Sequence, residues 1–275
     1  FFHDVFVVAT VVDDQSSDSH DRICKAVKQL HRLKELHIGA DPGIEFNLDR
    51  LAIGRDLEEF SLAGQCRVDS LGPVRKLPKL KTLSLSEVTL TKEGLESISR
   101  MPQLSELSLK KIDLRRGDFS FVAKCQNLRS LDIDGILLTN HDLEDLSSMR
   151  QLEFLRLVRT QLTDGGLVHI GKLDQLISLD LSINDLTDDG VGHLSDSLRL
   201  LRLELRGTSV SGDGLRPFPR LETIDLSDTA LSVEGLAKLV AFPELQTVVL
   251  TRTRVSAKGI QRFRTASPDV TLIGP

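Results

Sequence analysis

The chain has 275 residues, 40% apolar and 27% charged, which suits a soluble protein with a continuous core. A net charge of −5 gives no support for nucleic-acid binding, which needs clustered Lys and Arg to displace counterions, so no such partner is expected. With 11 Phe but no Tyr or Trp, the chain lacks common anchors of very tight interfaces and the usual stacking platforms for sugars or single strands.

The opening stretch FFHDVFVVATVV is apolar but contains His3 and Asp4. It falls short of the about 20 apolar residues that a bilayer span needs, so no membrane insertion by this segment is expected. Residues 1–32 read as an N-terminal cap, with a strand near Val5–Val8 and a helix over Asp21–His31. The chain begins at Phe1 rather than Met, which leaves room for an upstream signal, anchor or further domain. Cys24, Cys66 and Cys125 form no CxxC pair, zinc spacing or disulfide framework. They read as small buried hydrophobes, and the lack of disulfide caps tilts the expected location to the cytoplasm.

From residue 33 onward the chain repeats itself. Leu-x-x-Leu-x-Leu, or a close variant, starts at Leu33, Leu57, Leu80, Leu104, Leu128, Leu152, Leu176, Leu200, Leu221 and Leu245. The steps are 24, 23, 24, 24, 24, 24, 24, 21 and 24 residues, a regularity that chance does not produce. VTLI from Val270 reads as a final capping strand. The stretch from Gly39 to Asp56 keeps the repeat length without a helix signature, and Asp41-Pro42-Gly43 reads as a turn. Later copies share a second half: LTDGGLVHI from Leu162, LTDDGVGHL from Leu186, VSGDGLRPF from Val210, LSVEGLAKL from Leu231 and VSAKGIQRF from Val255. A Ser or Thr there can cap a short helix, acids often follow at its positive end, and the Gly permits close backbone approach. Pro217 and Pro219 exclude a regular helix from the shortened repeat, leaving an extended or 3₁₀ connection.

These residues together resemble the leucine-rich-repeat family, in its 24-residue form with a helix on the convex side, over roughly residues 33 to 273. The resemblance implies an α/β solenoid, a horseshoe with a parallel concave sheet, here as ten repeats and a capping strand in one continuous domain over 33–275. It departs from the family at the turn asparagine. Asn184 alone fills that position, Thr160, Thr208, Thr229 and Thr253 replace it in other late copies, and Val88, Ile112 and Ile136 make it apolar in early ones. Thr can still bond turn backbone; the apolar copies must be satisfied differently.

In each strand the two inner apolar side chains face the core, so the residues before, between and after them face outward. Those residues are Ser130, Asp132 and Asp134; Phe154, Arg156 and Val158; Ser178, Asp180 and Ser182; Arg202, Glu204 and Arg206; Thr223, Asp225 and Ser227. One column reads Asp132, Arg156, Asp180, Glu204, Asp225, an exposed ion-pair ladder at one end and three consecutive acids at the other. Arg202 and Arg206 flank Glu204 and are expected to neutralise it. Phe154, Val158 and Ile183 read as exposed apolar anchors amid these charges, with Arg159 just beyond its strand.

The expected function is a non-enzymatic scaffold, without cofactor or metal, that binds a protein partner and is itself a monomer. Its partner site comprises Phe154, Arg156, Val158, Arg159, Asp180, Ile183, Arg202, Glu204 and Arg206. The alternatives are a cation site at Asp180, Glu204 and Asp225, a hydrolytic carboxylate pair, or the recognition module of a longer chain such as a ubiquitin-ligase substrate receptor. No F-box-like segment supports the last. Hydrolysis lacks a desolvated cleft, and Arg neighbours would lower the acids' pKa. His169, His193 and Asp145 occupy equivalent helix positions in separate repeats, too far apart for one metal.

Overall fold

Apolar side chains at alternate positions of a short segment bury one face of a strand. In this computed structural model every Leu-x-x-Leu-x-Leu copy forms a strand of three to five residues at or just inside the pattern. The structure describes residues 7–9, 24, 25, 27, 33–40, 43, 48–51, 53–112, 114, 119–194 and 197–274. The chain divides into two compact units, residues 1–136 and 137–275.

The first unit pairs β1 (Val7–Ala9), β2 (Glu35–Gly39), β3 (Glu59–Ala63), β5 (Thr82–Ser86), β7 (Glu106–Lys110) and β8 (Ser130–Asp134) in that order, all parallel. Its register stacks Leu36, Phe60, Leu83, Leu107 and Leu131 in one buried row and Ile38, Leu62, Leu85, Leu109 and Ile133 in the next. Burying such a side chain contributes about 1.5–3 kcal/mol, which one repeat alone cannot collect because its stripe needs a neighbour to cover it. β1 overlaps the strand expected near Val5–Val8, of which residues 5 and 6 lie outside the described residues. The helix expected over 21–31 lies mostly outside the described residues, where Cys24, Lys25 and Val27 are helical. Gly43 turns with φ 85°, Asp41 and Pro42 lie outside the described residues, and a 3₁₀ turn follows at Leu48–Arg50. Helices Gly72–Arg75, Lys92–Ser99 and Ser120–Ala123 return the chain between strands.

The second unit pairs β9 (Phe154–Val158), β10 (Ser178–Asp180), β11 (Arg202–Glu204), β12 (Thr223–Asp225), β13 (Thr247–Val249) and β14 (Thr271–Ile273), again all parallel. Leu155, Leu179, Leu203, Ile224 and Val248 align beneath them, each 2% exposed or less. The helices are Asn140–Leu146, Asp164–Ile170, Asp188–Gly192, Val233–Lys238 and Ala257–Ala266. The described residues between Glu204 and Thr223 contain no helix, as the two prolines require, and the connection is extended with turns.

Caps and glycines hold successive second-unit repeats together. The Thr139 and Asp142 side chains cap Asn140–Leu146 reciprocally, and Ser232 and Ser256 accept from Gly235 N–H (2.7 Å) and Gly259 N–H (3.2 Å). Thr163 makes no such cap bond. The Asp164 carboxylate instead accepts from Thr187 N–H (2.8 Å) and Oγ1–H (2.6 Å) of the following repeat. Asp188 repeats the device one step on, accepting from Gly212 N–H (2.9 Å) and from Ser211. A Cβ on Gly190 would lie 2.2 Å from Asp164 Oδ1, so only glycine lets this carboxylate reach across.

The turns after the strands are closed in two ways. Asn184, 7% exposed, accepts through Oδ1 from Thr160 N–H (3.0 Å) and Leu162 N–H (3.1 Å), and donates through Nδ2 to the carbonyls of Leu157 (2.6 Å) and Leu181 (2.8 Å). Thr208, Thr229 and Thr253 each donate a hydroxyl to the carbonyl three residues back, at 2.6, 2.6 and 2.9 Å. In the first unit a second, two-stranded sheet of β4 (Arg67–Val68) and β6 (Thr89–Leu90) does part of this work, and Thr89 N–H donates to Cys66 C=O at 2.8 Å. That register places buried Cys66 opposite Val88, so a thiol fills the turn position of its repeat. Burial pushes the Cys66 and Cys125 thiols up to about 11, consistent with inert packing groups.

Candidate functional site

The second unit's register sets Phe154, Ser178, Arg202 and Thr223 in one row across the sheet. The adjacent solvent-facing row is Arg156, Asp180, Glu204 and Asp225. Adjacent strands lie about 4.8 Å apart, so each row is a continuous strip of side chains. Phe154 is 46% exposed at one end of its strand, and Ile183, 48% exposed, lies just past the opposite end of the neighbouring strand.

Val158 is a correction. Expected as an exposed anchor, it is 3% exposed, and Asp134, Ser182 and Ser227 in the same position of their repeats are buried too. At the next residue the backbone turns left-handed, with φ of 54° at Arg159, 57° at Ile183, 68° at Gly207 and 57° at Asp228. At Asp134, Val158, Ser182 and Ser227 the last outward position of the pattern is turned into the repeat instead of continuing the alternation. Arg206 in this position stays exposed, its guanidinium reaching out to Asp228. With Val158 removed, Phe154 and Ile183 are separate apolar points divided by a charged row, not one patch.

The charges sort into satisfied and unsatisfied groups. Arg156 Nε donates to Asp180 Oδ2 at 3.0 Å, the expected ladder pair, and Asp180 Oδ1 accepts from Ser182 N–H at 2.9 Å. Asp225 Oδ1 likewise accepts from Ser227 N–H at 2.8 Å. Arg206 was expected to neutralise Glu204 but donates to Asp228 at 3.0 Å, and Arg252 grips the same carboxylate with two nitrogens. Arg252, with Arg206 beside it, holds Asp228 down to about 2 against a burial that pushes upward. Arg159 is exposed and takes part in interactions of its own. Asp132, in the first unit, pairs with Lys110 at 3.0 Å and accepts from Ser108 Oγ–H at 3.1 Å.

Glu204 is the exception. Burial and the flanking carboxylates of Asp180 and Asp225 push its carboxyl above the ordinary range, while Arg202 and Arg156 offset this only in part. Arg202 and Arg156 do lower it, as expected of arginine neighbours, but burial and the two flanking carboxylates outweigh them. Among the described residues no group of three or more His, Cys, Asp or Glu side chains can hold a metal. Asp180 and Asp225 turn oxygens toward their own strand-end N–H groups, so the three carboxylates do not converge.

Sequence reading missed a hollow of about 400 Å³ beside Glu204, lined by Phe154, Ile177, Ser178, Leu201, Arg202, Glu204, Glu222 and Thr223. Ile177, Leu201 and Glu222 each precede a strand, outside the alternating positions used to list outward residues. No helix among the described residues is long and apolar enough to cross a membrane.

Residues 176–195 match a family model described as a leucine-rich repeat. No curated protein sequence matches the chain. Among solved structures, internalin C2 (inlC2) from Listeria monocytogenes superposes with a TM-score of 0.52 at 16% identity, covering 86% of this chain and 91% of that one. An internalin (inlF) from the same species gives 0.48 at 15% identity over 94% of each chain. At such identity the likeness to internalin C2 is one of fold.

Proposed function

We propose that the chain is a leucine-rich-repeat protein acting as a non-enzymatic, monomeric scaffold that binds a protein partner on the sheet face of its second unit. The observation that carries this reading is Ile183. A β-branched side chain at φ 57° is strained, and this one is also 48% exposed, so it gains little from packing. Neighbouring turns place Arg159, Gly207 and Asp228 in the same conformation. An apolar, strained residue held in water finds its use when a partner covers it. Phe154 supplies a second apolar point, and aromatic and arginine side chains dominate many interface energies. Arg156, Asp180, Arg202, Glu204 and Arg206 between and beside them suit a partner of mixed charge, with Arg159 on the rim, whose binding weakens with salt without vanishing.

The test is affinity capture with quantitative mass spectrometry on wild type, Phe154→Ala, Ile183→Asp, and a helix-side control, His193→Ala. Circular dichroism establishes that each variant is folded. Partners lost with the first two variants and kept by the control support the assignment. Partners kept by Phe154→Ala and Ile183→Asp but lost with His193→Ala would place the surface on the helix side and refute it.

A further inference from the structure

Along the strands and at their two ends, several charges cancel between neighbouring repeats. Lys81 pairs with Glu58 at 3.2 Å, Lys79 with Asp56 at 2.6 Å, Lys111 with Glu87 at 2.7 Å, Arg156 with Asp180 at 3.0 Å, and Arg206 with Asp228 at 3.0 Å. The hollow departs from this pattern. Arg202, Glu204 and Glu222 line it, and none makes a side-chain hydrogen bond or close ion pair with another described residue. Two acids and one base leave an excess negative charge in a recess whose other walls include Phe154, Ile177 and Leu201. An aromatic and aliphatic wall beside unneutralised carboxylates matches a long side chain with an apolar stem and a cationic end.

We propose that this hollow receives a lysine or arginine side chain from a peptide segment of a protein partner. The stem lies along Phe154 and Leu201, and the cation is held by Glu204 and Glu222. The inference rests on the reading of this sheet face as the partner surface and adds the chemistry that the partner presents. An anionic group is disfavoured, because Asp180 and Asp225 flank Glu204 on the neighbouring strands. Those same carboxylates raise the carboxyl of Glu204, so a cation from outside relieves a repulsion that the fold leaves in place. Arg202, exposed at the rim, is free to donate to a backbone carbonyl of the bound segment.

The experiment selects short random peptides on the immobilised protein. It then measures the winners by fluorescence anisotropy against wild type, Glu204→Gln and Phe154→Ala. Glu204→Gln removes a disfavoured charge and is expected to fold at least as well as wild type. The expected result is a recurrent Lys or Arg at one peptide position. Replacing it with norleucine weakens binding about tenfold, as does Glu204→Gln, and the two changes together cost little more than either alone. Peptides without a recurrent basic residue, or with norleucine and Glu204→Gln losses that simply add, overturn the inference. If such peptides still lose binding with Phe154→Ala, the partner-surface reading survives. If no peptide is selected, or all ignore Phe154→Ala, both fall.

Discussion

Val88 in the first unit and Asn184 in the second stand at the same place in their repeats and help close it by opposite means. Asn184 gathers turn backbone groups into one buried amide, whereas Val88 is 1% exposed beside a chain held by backbone pairing between β4 and β6. The strand register is equally regular in both units. The repeat therefore tolerates either chemistry, provided that every buried backbone N–H and C=O finds a partner. The cost of changing the residue should depend on which solution its neighbours already use.

The core beneath the strands is common to both units, so the largest effects should not discriminate between them. Leu83→Ala and Leu179→Ala, both in fully buried rows, are each expected to cost roughly 2–5 kcal/mol by leaving a cavity. Urea unfolding followed by circular dichroism suits a chain without Trp. A large loss in one unit alone would break the idea of a shared core. The turn exchange comes next. Asn184→Val is expected to lose about 2–3 kcal/mol because its former partners are stranded in the interior, and Val88→Asn about 1–3 kcal/mol because the new amide finds no donors or acceptors. If both exchanges proved neutral, the two closures would be interchangeable and the distinction empty.

The left-handed strand ends offer a finer contrast. The first unit fills this position with Glu87, Lys111 and Gly135; among all the described ones only Ile183 is β-branched. Ile183→Asn should therefore raise stability, by about 1 kcal/mol, since Asn tolerates this conformation far better. A destabilised variant would mean that Ile183 packs usefully within the free protein. The smallest effect concerns acid. The folded carboxyl of Asp228 lies at about 2, below its ordinary 3.8. Its contribution is thus complete above the ordinary value and is lost as pH falls toward 2. Asp228→Asn should flatten that part of the stability profile; an unchanged acid limb would show the Arg206–Asp228–Arg252 cluster to be inert.

Repeat length, strand positions and the helix-free stretch around Pro217 were legible in the sequence. Each follows from spacing along the chain, which stacking multiplies ten times until no other arrangement buries all the leucines. The charged row from Arg156 to Asp225 and the exposure of Phe154 were legible for the same reason, because alternation within a strand is local. Alternation failed at Val158, where a left-handed residue just after the strand ends the pleat, and no pattern of apolar residues announces that turn. Beyond the Arg156–Asp180 pair, the choice of charge partners was equally out of reach. Which acid Arg206 selects, why Glu204 forms no close ion pair with a described residue, and how Glu222 and Ile177 come to share a hollow with Phe154 depend on side chains some 20 or more residues apart in sequence. Those choices arise only when the repeats stack, because distance and burial, not residue type, decide where a charge is neutralised.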